Sequence, residues 1–177
     1  RPEMAFGTGH HDTTYMMMES MLENADAIRG HVVMDMGCGT ALLGILAAKM
    51  GASRVYGIDI DAVAAQSAYD NARLNRVGRK VETYCGDASL LQMSTYNVLL
   101  ANIHRNIILM DLRTYAGALK HGGLLLLSGF YESDVPDILS EASKYGLSML
   151  KSRTRDGWAC LTLRLDNPVS IPDVLAR

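Results

Sequence analysis

Cysteine is scarce in this chain: three thiols, Cys38, Cys85 and Cys160, in 177 residues. The number is odd and no C-x-x-C pair occurs. That excludes a disulfide framework and a zinc site, so no metal is expected, and reduced thiols in a cytoplasmic protein fit best. No apolar run approaches the ~20 residues needed to span a bilayer, and no signal peptide is visible. A membrane is therefore not an expected partner. There is no Lys/Arg run either. Seventeen basic residues face nineteen acidic ones, for a formal net charge of -2. A strong phosphate-binding face, and with it direct nucleic-acid contact, is not expected. Repeats, low-complexity stretches and linkers are also missing, which points to one domain. The first residue is Arg1, not Met, and a glycine-rich motif begins almost at once at Phe6. The expectation is a fragment, a processed form or the ordered part of something longer.

What is present is a soluble globular composition, 49% hydrophobic and 20% charged, at a length that suits one sizeable core. Short β-rich apolar runs alternate with helical periods. Val32–Met34 reads as a buried strand and Leu42–Met50 as a helix ended by Gly51. Arg54–Ile58 is the second strand. Ala65, Ala68, Tyr69 and Ala72 recur at i, i+3, i+4 and i+7, the stripe of an amphipathic helix. Val81–Tyr84 and Val98–Ala101 are the third and fourth strands. Ile108, Leu112, Tyr115 and Leu119 mark one face of a longer helix, which Gly122-Gly123 should stop before a fifth strand, Leu124–Leu127. A helix after Ser133 carries Pro136 in its first turn, where a missing N–H costs little. Its stripe is Val135, Ile138, Leu139 and Ala142. Two last runs, Leu147–Lys151 and Ala159–Leu165, flank Asp156-Gly157, a hairpin signal. Met16, Met17, Met18 and Met21 read as core packing on a first helix, and Trp158 as a packing residue.

The pattern predicts an α/β sandwich with a mainly parallel sheet, right-handed crossovers and an antiparallel terminal hairpin. In such sheets ligands bind beyond the carboxyl ends of the strands. Three strand ends carry candidate chemistry. After the first comes Asp35-Met36-Gly37-Cys38-Gly39-Thr40-Ala41, opening a helix. Gly37 and Gly39 allow a tight turn with no Cβ in a ligand's way. A dinucleotide site wants a third glycine where Leu42 stands, and Asp35 would disfavour a pyrophosphate. S-adenosylmethionine, a cationic sulfonium with an amino-acid tail and no phosphate, suits an acidic strand tip better. Asp59 ends the second strand at the ribose-acid spacing and can accept from both hydroxyls, with Ile60 lying against adenine. Asp61 reads as a helix N-cap. At the third strand, Asp87 in Gly86-Asp87-Ala88 could accept from an adenine amino group; a plain turn is the competing explanation.

These three ends resemble the class I methyltransferase fold, a Rossmann-like sandwich with seven strands. Further segments narrow the resemblance. Phe6-Gly7-Thr8-Gly9-His10-His11-Asp12-Thr13-Thr14 is similar to the F-G-T-G-x-H-x-T-T signature of the PrmA family, enzymes that methylate ribosomal protein L-eleven. Leu100-Ala101-Asn102-Ile103 resembles that family's A-N-I, and Leu127-Ser128-Gly129 its L-S-G. The resemblance spans Phe6 to about Leu165. It implies cofactor contacts from Thr14, Gly37, Asp59 and Asn102, a covering loop from Phe6, Thr8 and His11, and Asn102 nearest the transferred methyl and incoming nitrogen. It also implies methylation of lysine side chains and of the α-amine. Departures are Ala41 for a glycine, His10 for Thr, Asp12 for Pro, and a polar His104-Arg105-Asn106. The expected organisation is a catalytic domain over residues 1–166 and a tail over 167–177, without the family's N-terminal substrate-gripping domain. His10, His11 and His104 are candidate proton acceptors, though a loop or surface histidine is the commoner explanation for each. Rival readings are another methyltransferase, for example on release-factor glutamine (which would want Asn-Pro-Pro-Tyr at the fourth strand), a nicotinamide dehydrogenase, and a non-catalytic cofactor binder.

Overall fold

A computed structural model of the chain describes residues 10–166. Along them run α1 (His10–Glu23), α2 (Ala25–Ile28), β1 (Val32–Met36), α3 (Leu42–Lys49), β2 (Arg54–Asp59), α4 (Ala62–Leu74), β3 (Val81–Cys85), β4 (Tyr96–Asn102), α5 (Arg105–Ala118), β5 (Leu119–Tyr131), α6 (Val135–Ser143), β6 (Leu147–Arg155) and β7 (Trp158–Leu165). The strands form one sheet in the order β3-β2-β1-β4-β5-β7-β6. The first five are parallel, and β7 pairs antiparallel with both β5 and β6. This is the expected seven-stranded sandwich.

The central strands are buried on both faces, so they read as unbroken apolar runs rather than alternating ones. In β5, Leu125 and Leu127 pack with Ile108, Leu112, Tyr115 and Ile138 from α5 and α6. Leu124 and Leu126 face the other way, onto Met16, Met17, Met21 and Ile45 from α1 and α3. The period of two along one strand thus serves two cores. The methionine cluster is core as expected: Met16, Met17 and Met21 are fully buried and Met18 partly so.

Several boundaries differ from expectation. β1 runs on to Met36, so Asp35 lies inside the strand instead of after it. α5 stops at Ala118, and Leu119, expected on the helix face, opens β5 with extended backbone (φ -76°, ψ 144°). Leu119 pairs with Tyr96, and the register then slips before Val98 meets Leu124. Gly122-Gly123 therefore sits inside a β-irregularity and terminates no helix. A Cβ on Gly123 would lie 2.8 Å from the Lys120 carbonyl oxygen and 3.1 Å from that of Asn97, so the bulge needs glycine there. Tyr69, expected in the buried stripe of α4, is exposed at its rim, while Ala65, Ala68 and Ala72 are buried. In α6 the buried positions are Ile138 and Ala142, with Val135 and Leu139 half-buried. The terminal hairpin is longer than its apolar runs suggested. Asp156 and Gly157 both take positive φ (49° and 81°), the two-residue turn that matches strand twist.

One further contact set organises the periphery. Lys151, Arg153 and Arg155 alternate along β6 and so share a face. They pair with Glu23, with Glu19 and Glu23, and with Asp12, all on α1. Arg153 also donates to Ser20 Oγ at 3.0 Å, and the Arg155 guanidinium lies 3.9 Å from the Tyr15 ring centre. This ladder fixes α1 against the terminal hairpin.

Candidate functional site

The chain leaves β1, makes β2 and β3 on one side, then crosses to β4 on the other. The crevice where that order reverses lies beyond Met36 and Ala101, which are paired in register. After Met36 the turn takes Gly37 (φ 62°), Gly39 (φ 53°) and Ala41 (φ 63°) through the left-handed region. The first two are glycines, which adopt it freely. Ala41 adopts it at a cost of roughly 1–2 kcal/mol, so the turn survives the loss of the usual glycine. The backbone is tied down from β2: Cys38 N donates to Ile58 O at 3.0 Å and Gly39 N to Asp59 Oδ2 at 2.9 Å. Asn71 Nδ2 on α4 donates to Thr40 O at 3.0 Å.

Asp59 joins all three predicted strand ends. One carboxylate oxygen accepts from Gly39 N, the other from Asp61 N at 2.9 Å, and its carbonyl accepts from Gly86 N at 2.9 Å. Each carboxylate oxygen keeps a lone pair for a further donor. Ile60, next along, is 80% exposed, an apolar side chain held at the rim. Asp61 caps α4, accepting from Val63 N at 2.9 Å, as expected. Asp87 also caps: its Oδ1 accepts from the Ser89 N–H at 2.9 Å and from the Ser89 hydroxyl, opening a 3-10 turn at Ala88. Those bonds hold its carboxyl below the usual carboxylate range. So the turn explanation describes Oδ1, while Oδ2 is left over.

Asp35 sits differently from its predicted neighbours. It is 3% exposed, with Oδ2 accepting from Gly44 N at 3.0 Å. Burial pushes its carboxyl up to about 8; the Gly44 bond opposes that rise and the nearby Asp59 charge adds to it. It underlies the turn and does not line an open mouth. Among the described residues none of Asp35, Asp59, Asp61 and Asp87 forms an ion pair. Asp59, Asp61 and Asp87 make the carboxyl edge of β2 and β3 an acidic rim with no ion-pair partner among the described residues.

At the end of β4, the Asn102 Oδ1 is buried, and no donor among the described residues reaches it. A buried carbonyl oxygen without a partner costs about 1–3 kcal/mol. Its neighbour Ile103 explains the local glycines. Ile103 N donates to Ser128 O at 3.0 Å. A Cβ on Gly37 would come within 2.7 Å of Ile103 Cγ2, and one on Gly129 (φ 99°) within 2.4 Å of Ile103 O. The A-N-I and L-S-G segments are therefore one interlocked unit, closed by Ser128 Oγ donating to Ala159 O at 2.7 Å. Ile103 and Ser128 lie in the A-N-I and L-S-G segments that the resemblance marks, but nothing in those segments shows what they pack against. Asn71 carries no signal in the sequence.

Of the remaining predicted residues, Thr14 is half-buried and His11 exposed on α1, a helix packed on α3 and β4. Phe6 and Thr8 lie outside the described residues. His104 is exposed as the N-terminal cap residue of α5. Trp158 does pack, stacking on Tyr131 with ring centres 4.3 Å apart. Tyr131 is itself 54% exposed, so the pair stands at the carboxyl edge of β5.

A family model described as "Ribosomal protein L11 methyltransferase (PrmA)" matches residues 1–166. The chain belongs to the PrmA family. A ribosomal protein L11 methyltransferase of Porphyromonas gingivalis is 46% identical over 168 residues, covering 94% of this chain and 57% of that relative. A second, from Phocaeicola vulgatus, is 42% identical over 161 residues, covering 90% and 56%. The chain thus spans just over half the length of these PrmA relatives. Among solved structures, a ribosomal protein L11 methylase from Lactobacillus delbrueckii subsp. bulgaricus superposes with a TM-score of 0.83 at 22% identity, covering 90% of this chain and 81% of that one. A magnesium protoporphyrin IX methyltransferase from Synechocystis, solved with bound SAM, gives 0.68 at 21% identity, covering 88% and 79%. At such identities the likeness is one of fold, and it is the class I methyltransferase fold.

Proposed function

We propose that this chain is the catalytic part of an S-adenosylmethionine-dependent methyltransferase acting on amino groups of ribosomal protein L-eleven, lysine side chains and the α-amine alike. The observation that carries the reading is the buried, unsatisfied Asn102 Oδ1 at the switch point, next to a glycine turn bound to Asp59. The residues fit the cofactor. The free lone pairs of Asp59 suit a ribose diol, Ile60 offers an apolar face for adenine, and Asp87 Oδ2 suits an amino group. The acidic rim suits a cation. Gly37, Gly39 and Ala88 let the backbone come close. Thr14 and His11 stand on α1 and not in a covering loop, and with Phe6 and Thr8 they are the remaining candidates to enclose the cofactor. A dinucleotide reading fares worse: Leu42 stands where the third glycine of that turn is wanted.

When bound, S-adenosylmethionine supplies an electrophilic methyl on a positively charged sulfur. The protein's share is position, worth up to ~7–11 kcal/mol for well-oriented reactants. The attacking amine must be neutral, yet a lysine at its ordinary pKa of ~10.4 is almost wholly protonated near neutral pH. Asn102 Oδ1 accepts a hydrogen bond from the amine and directs its lone pair. As a neutral acceptor it does not favour the ammonium form as a carboxylate would. The departing proton passes to water, with His11, His10 and His104 as the candidate protein acceptors. In this reading residues 1–166 are the catalytic domain, located in the cytoplasm, and 167–177 a tail of unassigned role. Gripping the ribosomal protein falls to the part of the longer relatives that the match does not span.

The test is methyl transfer from labelled S-adenosylmethionine to purified ribosomal protein L-eleven, with products mapped by mass spectrometry. Label on lysine and α-amino nitrogens is expected. Tight cofactor binding with no labelled amine, even at high substrate concentration and in the full-length relative, would leave a non-catalytic binder instead.

A further inference from the structure

The opposite edge of the sheet has the opposite charge. Where α4 ends and the chain turns toward β3, Tyr69, Arg73, Arg76, Gly78, Arg79 and Lys80 line a cleft of about 610 Å³. The four cations are exposed, and none forms an ion pair among the described residues. The neighbouring Arg54 is different: it is matched by Glu82 at 3.0 Å and donates to Arg79 O, also at 3.0 Å. The free charges thus sit on a backbone that is fastened to β2, since Val55 N also donates to Lys80 O at 2.8 Å.

The cleft is built by a helix ending of an unusual kind. Val77 N donates to Ala72 O at 2.9 Å and Arg76 N to Arg73 O at 3.0 Å, the paired bonds that close a helix through a left-handed residue. Glycine normally holds that position. Here it is Arg76, at φ 63°, which costs roughly 1–2 kcal/mol in a non-glycine residue. Gly78 follows, and a Cβ there would lie 3.0 Å from Arg73 Cγ, so the loop lies close against the helix. The partial negative charge at the end of α4 accounts for cations at Arg73 and Arg76. It does not reach Arg79 and Lys80, which lie beyond the last turn. Tyr69 forms one wall, with the Arg73 guanidinium 5.8 Å from its ring centre.

We propose that this cleft binds the phosphodiester backbone of RNA. Four cations without an ion-pair partner among the described residues, set around a concave surface, match a chain of phosphates, and the face of the half-exposed Tyr69 not covered by Arg73 offers a surface on which a base stacks. The charge summed over the chain hides the feature, because the acidic rim at the carboxyl edge cancels the basic one here. The two sites lie at opposite ends of the strands, so RNA and the cofactor do not compete.

The test is fluorescence anisotropy of the chain with a fluorescein-labelled single-stranded RNA of about twelve nucleotides, at several salt concentrations. Two variants are compared: Arg79→Gln/Lys80→Gln, and Arg76→Gly, which removes a charge while relieving the left-handed strain. The double variant should weaken binding about tenfold and flatten the log–log salt slope by about 1.4, at ~0.7 for each phosphate no longer neutralised. Arg76→Gly should flatten it by about half as much without loss of stability. Both should bind S-adenosylhomocysteine as the parent does; that control separates this site from the methyltransferase reading. Unchanged RNA affinity and slope in both variants overturn the proposal. So does a polyglutamate peptide that displaces the RNA at equal charge concentration, which would mark the cleft as a site for an acidic protein.

Discussion

The substitution Asp35→Asn tests how the acidic edge is built. The native carboxyl is buried and pushed up to about 8, whereas in the unfolded chain it returns to ~3.9. A native pKa above the unfolded one means that the folded protein holds a proton the unfolded chain has released. The associated stability is fully present below about pH 4 and drains away as pH rises through about 8. Between those limits one proton separates the states, and the slope is about -1.4 kcal/mol per pH unit. From about pH 5 to 7 the native protein should lose on the order of 3 kcal/mol through this group. The asparagine amide would keep an acceptor for Gly44 N and carry no charge at any pH, so the variant should show none of that loss. Every other ionisable group is shared by both proteins and cancels in the difference. Urea unfolding at about pH 5, 6, 7 and 8 measures it. The difference curve should slope by about 1.4 kcal/mol per unit and level off above the native pKa. Parallel stabilities across the window would refute the reasoning and place Asp35 in a solvated site. A cation bound in the cradle should also lower the Asp35 pKa. S-adenosylmethionine should therefore release more proton on binding than neutral-sulfur S-adenosylhomocysteine, read by calorimetry in buffers of different ionisation enthalpy.

Other outcomes follow from the same geometry. Asn102→Ala should leave S-adenosylhomocysteine affinity within about threefold and slow turnover by about a hundredfold or more, as loss of a positioning hydrogen bond does; an unchanged rate would remove Asn102 from the mechanism. Gly129→Ala should cost about 2–4 kcal/mol in urea unfolding, combining left-handed strain with a clash against the Ile103 carbonyl. Gly30→Ala, at φ 74° with open space around it, should cost only about 1–2 kcal/mol, and equal costs would deny the interlock at Ile103. Arg153→Ala should cost about 1–3 kcal/mol and speed hydrogen exchange in α1, because its guanidinium bonds Ser20 and pairs with Glu19 and Glu23; exchange unaltered in α1 would show that Arg153 does not hold the helix.

Local chemistry made much of this legible in the sequence. The β–α alternation, the Asp61 cap and the Asp156-Gly157 turn each rest on neighbours in the chain, and each appears as read. The glycines at 37 and 39 were legible because a left-handed backbone favours one residue type. What escaped depends on partners far apart in sequence. Leu119 suits a helix face by spacing, yet pairing with Tyr96 draws it into β5. Asp35 looked like a mouth-lining acid because its strand seemed to end two residues early. Nothing in A-N-I alone says that Ile103 is wedged between Gly37 and Gly129. The ion ladder from β6 to α1 joins residues more than 120 positions apart. The basic cleft was hidden by a net charge near zero, which reports a sum and not an arrangement.

In the proposed function Asp59 anchors a cradle for an adenosine carrying a cationic sulfur. Isothermal calorimetry with S-adenosylhomocysteine and with NAD, on the parent chain and on Asp59→Ala, tests it most directly. One site for S-adenosylhomocysteine, no heat from NAD, and binding abolished in the variant are expected. Binding of NAD in place of S-adenosylhomocysteine, or an Asp59→Ala titration that overlays the parent's, would contradict it.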